Sequence, residues 1–349
     1  MRRPADLHLL AGAVGLSAAG DMLALLTLAL AVFDLTGSGP AVAAFFAATM
    51  LPTVALAPVA GLVADRVEST RVLAVASLAQ AAVAVALAFA VDGLPAILAL
   101  TVLLAAGSAV SAPAEFALVP VVAGRPGLTR ANGVMEAARY AGFALGPLAA
   151  AALMAVGDAR LALLANAASF VGIAVAAALL RARRPPAARD RSDGAPPDRA
   201  RDGAAALLAD PVVRPTIVAA VAALAVISAV HTLEVFYVKE VLEAGDAVYA
   251  LLTMAWMAAM IAGATVLAPR VPARVLAPAA LVALAVQGAG MAAQTTWAIV
   301  PAAFAGYLVG GLGHGVKNTL LRTLVQRRVP AGLHGRAFAA YSAARNAAE

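Results

Sequence analysis

Apolar residues run along this chain in long blocks separated by short polar breaks, and the block lengths set the architecture. Crossing the ~30 Å hydrocarbon core of a bilayer takes about 20 apolar residues at the ~1.5 Å rise of an α-helix. Blocks of that length occupy 7–33, 41–64, 72–91, 94–120, 129–156 and 159–180. After a polar stretch they resume at 212–238, 247–268, 275–293 and 297–321, with an eleventh opening near 334. Strand-like alternation at every second position is missing, which argues against a β-barrel. The blocks are predicted to be helices, because a helix satisfies its own backbone hydrogen bonds in lipid. Pro52, Pro58, Pro113, Pro147 and Pro301 fall within or beside them, where neighbouring helices accommodate kinks.

Composition agrees with the pattern. The 349 residues are 63% hydrophobic and 13% charged, with a mean hydropathy of +0.91, against roughly 25% charged in soluble domains. That excludes a water-soluble enzyme, a disordered chain and a disulfide scaffold. With no cysteine, thiolate metal sites, iron–sulfur clusters and cysteine nucleophiles are excluded too. The opening Met1, Arg2 and Arg3 before an apolar run fit either a signal peptide or a retained anchor. Nine following spans favour the anchor.

The excess of +6 and the pI of about 10.3 would suit nucleic acid, but the placement of the charges points elsewhere. With the N-terminus inside and the loops alternating, 21 of the 25 Lys and Arg fall inside and only Arg160 and Lys239 outside, while Arg139 and Arg345 sit within spans. So lopsided a distribution is the positive-inside signature of a multi-pass protein of the cell membrane. The N-terminus and the polar segment 181–211 are then cytoplasmic. That segment, rich in Arg, Pro and Asp, reads as a flexible linker between an N-terminal half, 1–180, and a C-terminal half, 212–349.

The halves repeat at an offset of 206 residues: Asp34 falls on Glu240, Gly39 on Gly245 and Arg139 on Arg345. Such duplication is common in transporters. On this offset the second half should end near residue 386, whereas the chain stops at Glu349 in its eleventh span. The expectation is a fragment, or a chain lacking its last span and a half, of a twelve-span design.

The loop after the second span holds Gly61, Asp65, Arg66 and Arg71, and the fifth span holds Gly142, Gly146 and Pro147. These residues resemble two motifs of the major facilitator superfamily, in its bacterial multidrug and siderophore exporter branch. Gly20 and Asp21, the turn at Phe33–Ser38, and the stretches Gln326–Pro330 and Gly335–Arg336 are similar to the same branch. The resemblance implies an all-α membrane bundle of two pseudo-symmetric six-helix halves, with about 10–11 transmembrane helices present here. It also implies that Asp65 closes the cytoplasmic side against the N-terminus of span 11, near Leu333–Arg336, where a helix dipole favours a carboxylate by ~0.3–1 kcal/mol. The alternative for the loop is a solvated turn. Gly142 and Gly146 correspond to an antiporter motif in which small residues allow close packing. Departures are Ser69 and Thr70 in place of basic residues, Ala149 and Ala150 in place of a glycine pair, and Leu103 where proton-linked exporters often carry an arginine.

Ionisable residues at membrane depth cost ~2.5–3.5 kcal/mol each on insertion scales and are functional candidates. Asp21, near the middle of span 1, can take up a proton on one side and release it on the other, or serve helix packing. Glu136 and Arg139 share a helix face and are expected to pair, as a structural or gating pair or as a substrate contact. His231 and Glu234 share a face of span 7, as a second proton or cation site or as solvated groups. Lys317 and Asn318 are expected to snorkel to the cytoplasmic face. The glycine-rich run Gly310–Asn318 lacks the ending of a phosphate loop, and His231 with Glu234 lacks the second histidine of a zinc motif.

The expected function is export of hydrophobic or cationic small molecules by alternating access, coupled to proton entry, with no enzymatic activity. In the family, spans 1, 4, 7 and 10 line the cavity, which makes Asp21, Phe236, Trp297 and Tyr307 substrate-cavity candidates. The expected partners are the bilayer, a small-molecule substrate and protons; no cofactor, metal or nucleic acid is expected, and the chain is expected to be a monomer. Alternatives are a metabolite uniporter or importer of the same fold, and a transport-inactive fragment or partner protein.

Overall fold

A computed structural model describes residues 3–155, 159–186 and 199–349; the side chains of residues 154 and 229–232 lie outside that description. Its first half comprises α1 (Pro4–Thr36), α2 (Gly39–Arg66), α3 (Ser69–Ala88), α4 (Leu94–Ala155) and α5 (Ala159–Leu179). The second comprises α6 (Asp202–Ala209), α7 (Val213–Phe236), α8 (Asp246–Ala262), α9 (Leu276–Thr296), α10 (Val300–Arg328) and α11 (His334–Ala348). Turns of wider π geometry extend α7 and α8, over Tyr237–Val241 and Gly263–Leu267. No strand occurs among the described residues. Among the described residues, seven helices are long and apolar enough to cross a membrane, or eight with the sharply bent pair formed by α6 and the start of α7.

The predicted fourth and fifth spans are two arms of α4, broken at Gly124, whose φ of 68° and ψ of 162° leave the helical region. A residue with a side chain is strained at such a φ, and glycine is not. Glu115 and Arg139 show that the arms run antiparallel. Along a straight helix their 24 residues would span ~36 Å, yet the side chains meet at 2.7 Å. Between α1 and α2 the turn is set by Gly37 at φ 59° and by the Ser38 hydroxyl, which accepts from the Ala41 N–H.

The 206-residue repeat holds element by element. Shifting α3 by that offset gives 275–294 against Leu276–Thr296, and shifting the first arm of α4 gives 300–329 against Val300–Arg328. The break at Gly124 then falls on Pro330. One prediction fails at this point: α10 continues past 321 to Arg328, and Lys317 and Asn318, expected to snorkel, find partners inside the protein, as does Arg322, expected in a loop. The predicted linker is also more ordered than its composition suggested. Ala182 and Arg184 are buried, α6 packs on α11, and the stretch 187–198 lies outside the described residues.

Large apolar side chains on the outer faces of the helices are exposed, among them Leu51, Val75, Leu148, Leu179 and Val226. Lipid accepts such a surface and water does not. Inside, Leu7, Leu10, Leu118, Val122 and Leu128 form a core of the first half. A second core crosses between the halves, with Phe116 of α4 stacked on Phe338 of α11 at 4.4 Å. Close approach of α1 and the second arm of α4 depends on Gly142 and Gly146. A Cβ on Gly142 would lie 2.8 Å from the Ala18 Cβ, and one on Gly146 would lie 2.6 Å from the Met22 Cβ.

Basic side chains gather at one end of the bundle, where α1 begins, α2 and α10 end and α11 begins. There Asp210 accepts from the Val212 and Val213 N–H groups at 2.8 and 2.9 Å and pairs with Arg328 at 2.7 Å. Burial alone would raise the pKa of this carboxyl, but the bonds from Arg328 and from the two N–H groups together hold it below the usual carboxylate range.

Two outcomes follow from this packing. Gly142→Val should force α1 and α4 apart and cost ~1–3 kcal/mol as an overpacked core does, lowering the heat-unfolding midpoint in detergent; Gly12→Ala, whose new methyl meets open space, should leave it unchanged. Asp210→Asn should lower the midpoint at neutral pH, by the ~0.5–2 kcal/mol typical of a lost helix cap. A carboxyl whose folded pKa is depressed stabilises above its unfolded pKa and loses that contribution as pH falls through the folded value. The difference between wild type and Asp210→Asn should therefore close on acidification below about pH 4, which a pH series of melting curves measures.

Candidate functional site

At the arginine-rich end the two halves close on one carboxylate. Asp65, at the end of α2, is fully buried. Its Oδ1 accepts from the Gly335 N–H at 2.8 Å, and its Oδ2 from the Arg336 N–H at 3.1 Å. It thus caps the N-terminus of α11, where unpaired N–H groups and the helix dipole favour an anion. Two guanidinium groups complete the site: Arg336 Nε at 3.1 Å and Arg184 Nη2 at 3.0 Å. Arg184 also donates to the carbonyls of Ala64 and Ala331, at 2.8 and 2.7 Å, tying α2, the segment after α5 and the start of α11 together. Gly61 makes this approach feasible, since a Cβ there would sit 2.6 Å from the Arg336 Cα.

The geometry places Asp65 where the sequence put it. Arg66 and Arg71, grouped with it by motif, are exposed; the arginines on Asp65 are Arg184 and Arg336. Nothing in the local pattern of the loop marked Arg184, which reaches the site from the other end of the first half.

Above this closure lies a small polar cavity of about 90 Å³, bounded by Ser17, Asp21, Gln80, Ser108, Ser111, Glu115 and Arg139 among others. It adjoins a second cavity of about 280 Å³ that shares Asp21 and Ser108 and is otherwise mostly apolar, with Leu25, Leu28, Phe45, Leu104 and Phe143. Asp21, near the middle of α1, is exposed into both. Gly142 and Gly146 pack against the turns of α1 on either side of it, so the small-residue motif fixes its position.

Glu136 and Arg139 share a face of α4, but they are not each other's nearest partners. Arg139 Nη2 lies 2.7 Å from Glu115 Oε1, and its Nε lies 3.9 Å from Glu136 Oε1. Glu136 Oε1 is 2.8 Å from Arg322 Nε of α10. Its other oxygen accepts from the Tyr140 hydroxyl at 2.9 Å, and that hydroxyl accepts from Asn318 Nδ2 at 2.9 Å. Signs alternate along Glu115, Arg139, Glu136 and Arg322, and the row crosses from one half to the other. Below it, Asn132 donates to Thr323 and Gln326, at 3.0 and 2.7 Å.

The remaining predicted residues are scattered. Tyr307 is buried beside Trp256, with ring centroids 6.0 Å apart. Trp297 stands in the break between α9 and α10 and is 63% exposed; its apolar character had placed it inside the tenth span. Phe236 and Glu234 border a separate groove with Tyr237, Glu240 and Gln294. The side chain of His231 lies outside the described residues. Lys317 does not snorkel: it is buried and donates to Gln287 Oε1 at 3.0 Å, and Asn318 faces Tyr140. Glu115 and Arg322 were missed. Glu115 was the one acidic residue within the predicted fourth span, a signal in plain view; Arg322 fell one residue beyond the predicted end of the tenth.

The sequence pattern of the Major Facilitator Superfamily matches residues 10–348. No curated protein matches the chain. Among solved structures, it is similar to a bacterial homologue of the iron transporter ferroportin in an outward-facing state. That likeness has a TM-score of 0.79 and 18% identity, over 98% of this chain and 89% of that one. The same homologue with soaked iron gives 0.78 and 19%, over 99% and 89%. The human organic anion transporter MFSD10 (TETRAN) gives 0.75 and 16%, over 99% and 92%. Identities this low establish the fold alone. With the family pattern spanning nearly the whole chain and two helical halves closing on Asp65, this protein belongs to the Major Facilitator Superfamily of membrane transporters.

Proposed function

We propose that the chain exports hydrophobic or cationic small molecules across the cell membrane by alternating access, in exchange for protons entering the cell. The arginine-rich end faces the cytoplasm on this reading, and the Asp65 junction shuts that side. Asp21 carries the proposal. Its carboxyl group is open to the cavity, and no hydrogen bond or ion pair engages it among the described residues, whereas Asp65, Glu115 and Glu136 are each paired with arginine. An unpaired carboxylate at mid-membrane is a binding site for a proton or an organic cation, one excluding the other. The apolar walls around Phe45, Leu104 and Phe143 suit a substrate with a hydrophobic body. The solved relatives are named for iron and for organic anions, so substrate preference in this fold follows cavity chemistry rather than the bundle.

The test is efflux of lipophilic cations from energised vesicles. Asp21→Asn should abolish exchange of substrate against protons, by about tenfold or more, and Asp21→Glu should retain part of it. Efflux by Asp21→Asn at the wild-type rate that still collapses with the proton gradient would refute the assignment.

A further inference from the structure

Asp21 and Arg139 face one small cavity, about 90 Å³ and room for roughly three waters. Arg139 is held there by Glu115 but is not saturated: its side chain is 25% exposed, and its Nε has no hydrogen-bond partner. Glu136, buried beside it, is shared. Its Oε1 has one arginine at 2.8 Å and another at 3.9 Å, and neither approach is aligned as a hydrogen bond. Charge therefore holds this contact more than directed bonding does. Arg322 belongs to the other half of the bundle, so the Glu136–Arg322 pair is a contact between halves.

We propose that Arg139 is a movable charge that reports the state of Asp21 to the contact between the halves. When Asp21 is ionised and empty, its charge holds Arg139 on Glu115 at the wall of the small cavity, 3.9 Å from Glu136, as in this shut structure. Glu136 then serves chiefly Arg322, at 2.8 Å, and the arginine-rich end stays shut. When Asp21 is neutralised, by a proton or by a bound organic cation, Arg139 swings from the cavity onto Glu136. Glu136 is then divided evenly between two arginines, its hold on Arg322 weakens, and the closed end is released. An empty, ionised carrier cannot turn over, while a protonated or loaded one can, which is the condition for strict exchange. Asp21 is the binding group; Glu115, Arg139, Glu136 and Arg322 are positioning residues. The inference rests on the assignment of Asp21 as the proton and cation site.

Other charged and titratable groups surround the row; Arg345 and Lys317 also feel the charge of Glu136, but each is bonded to another partner. On α10, Lys317 is on Gln287 and His314 is against Asn318 at 2.8 Å. On α11, Arg345 is on Glu349 at 3.2 Å, and Tyr341 packs in the core between the halves. The Tyr140 hydroxyl lies between Glu136 and Asn318. The first arm of α4 contributes Glu115, while α3 and α5 contribute the uncharged Gln80, Asn166 and Ser169.

Because the chain has no cysteine, two can be added without background. Arg125→Cys and Ala331→Cys lie at equivalent places in the two halves on the arginine-rich end, both exposed, and spin labels there read the opening of that end by pulsed electron resonance in nanodiscs without substrate. In otherwise unmodified protein the long-distance population should rise several-fold from about pH 8 to about pH 5. Asp21→Asn should fix the population high at both pH values. Arg139→Gln should abolish the pH response although Asp21 is intact, and Arg139→Lys should restore it. A pH response in Arg139→Gln or, should that variant not fold, one lost in Arg139→Lys overturns the relay; if Asp21→Asn is flat in the same series, the assignment of Asp21 survives. A normal response in Asp21→Asn overturns the assignment itself.

Discussion

A charge placed in a low-dielectric bundle must be answered by an opposite charge or by backbone dipoles, and that requirement organises this structure. Leaving one member of a buried ion pair alone costs ~3–5 kcal/mol. Asp65 meets the requirement with two N–H groups at the start of α11 and two guanidinium groups. Glu136 meets it with Arg322 and Tyr140, and Glu115 with Arg139. Asp65 and Glu136 take partners from the other half, so satisfying these two charges and closing the arginine-rich end are one event. The apolar contact between Phe116 and Phe338 adds area to the closure. The charges decide where it forms.

The backbone is duplicated, but the chemistry is not. At the 206-residue offset, Asp21 falls on Ile227, Asp65 on Val271, Glu115 on Leu321 and Glu136 on Ser342. The first half therefore carries these four carboxylates, and the second answers two of them, Asp65 and Glu136, with Arg336, the amino end of α11 and Arg322. Between the halves the sign of the charges alternates. A symmetric arrangement would place like charges across the interface, which at these distances repel. Asymmetry of side chains on a symmetric frame is what lets one half act as the site and the other as its counterweight.

The bundle was legible in the sequence because lipid imposes one rule, a run of about 20 apolar residues, on each crossing. The closure at Asp65 was legible because Gly61, which admits α11, and Asp65, which caps it, sit four residues apart on one helix. Gly142 and Gly146 were legible for the same reason: close packing needs small residues at a fixed spacing. Pairings between distant segments were not. Arg139 was assigned to Glu136 by spacing along one helix, whereas its nearer partner, Glu115, comes from the other arm of α4, beyond Gly124. Arg322 was counted as a loop charge because hydropathy ends the tenth span at 321, although the helix runs on to Arg328 under the protection of Glu136. Trp297 and Phe236 were named for aromatic character, which does not tell a cavity wall from a loop or a groove.

On the proposed reading, the cavity around Asp21 opens away from the arginine-rich end, which the Asp65 junction seals. Because the chain lacks cysteine, Ser108→Cys, at a position that borders both cavities and leaves Asp21 intact, can be probed in sealed vesicles of known orientation at about pH 8 with a membrane-impermeant thiol reagent added to either side. Labelling from the side opposite the arginine-rich end, blocked when the reagent is confined to the arginine-rich side, is the predicted result. Labelling from the arginine-rich side alone would contradict the account.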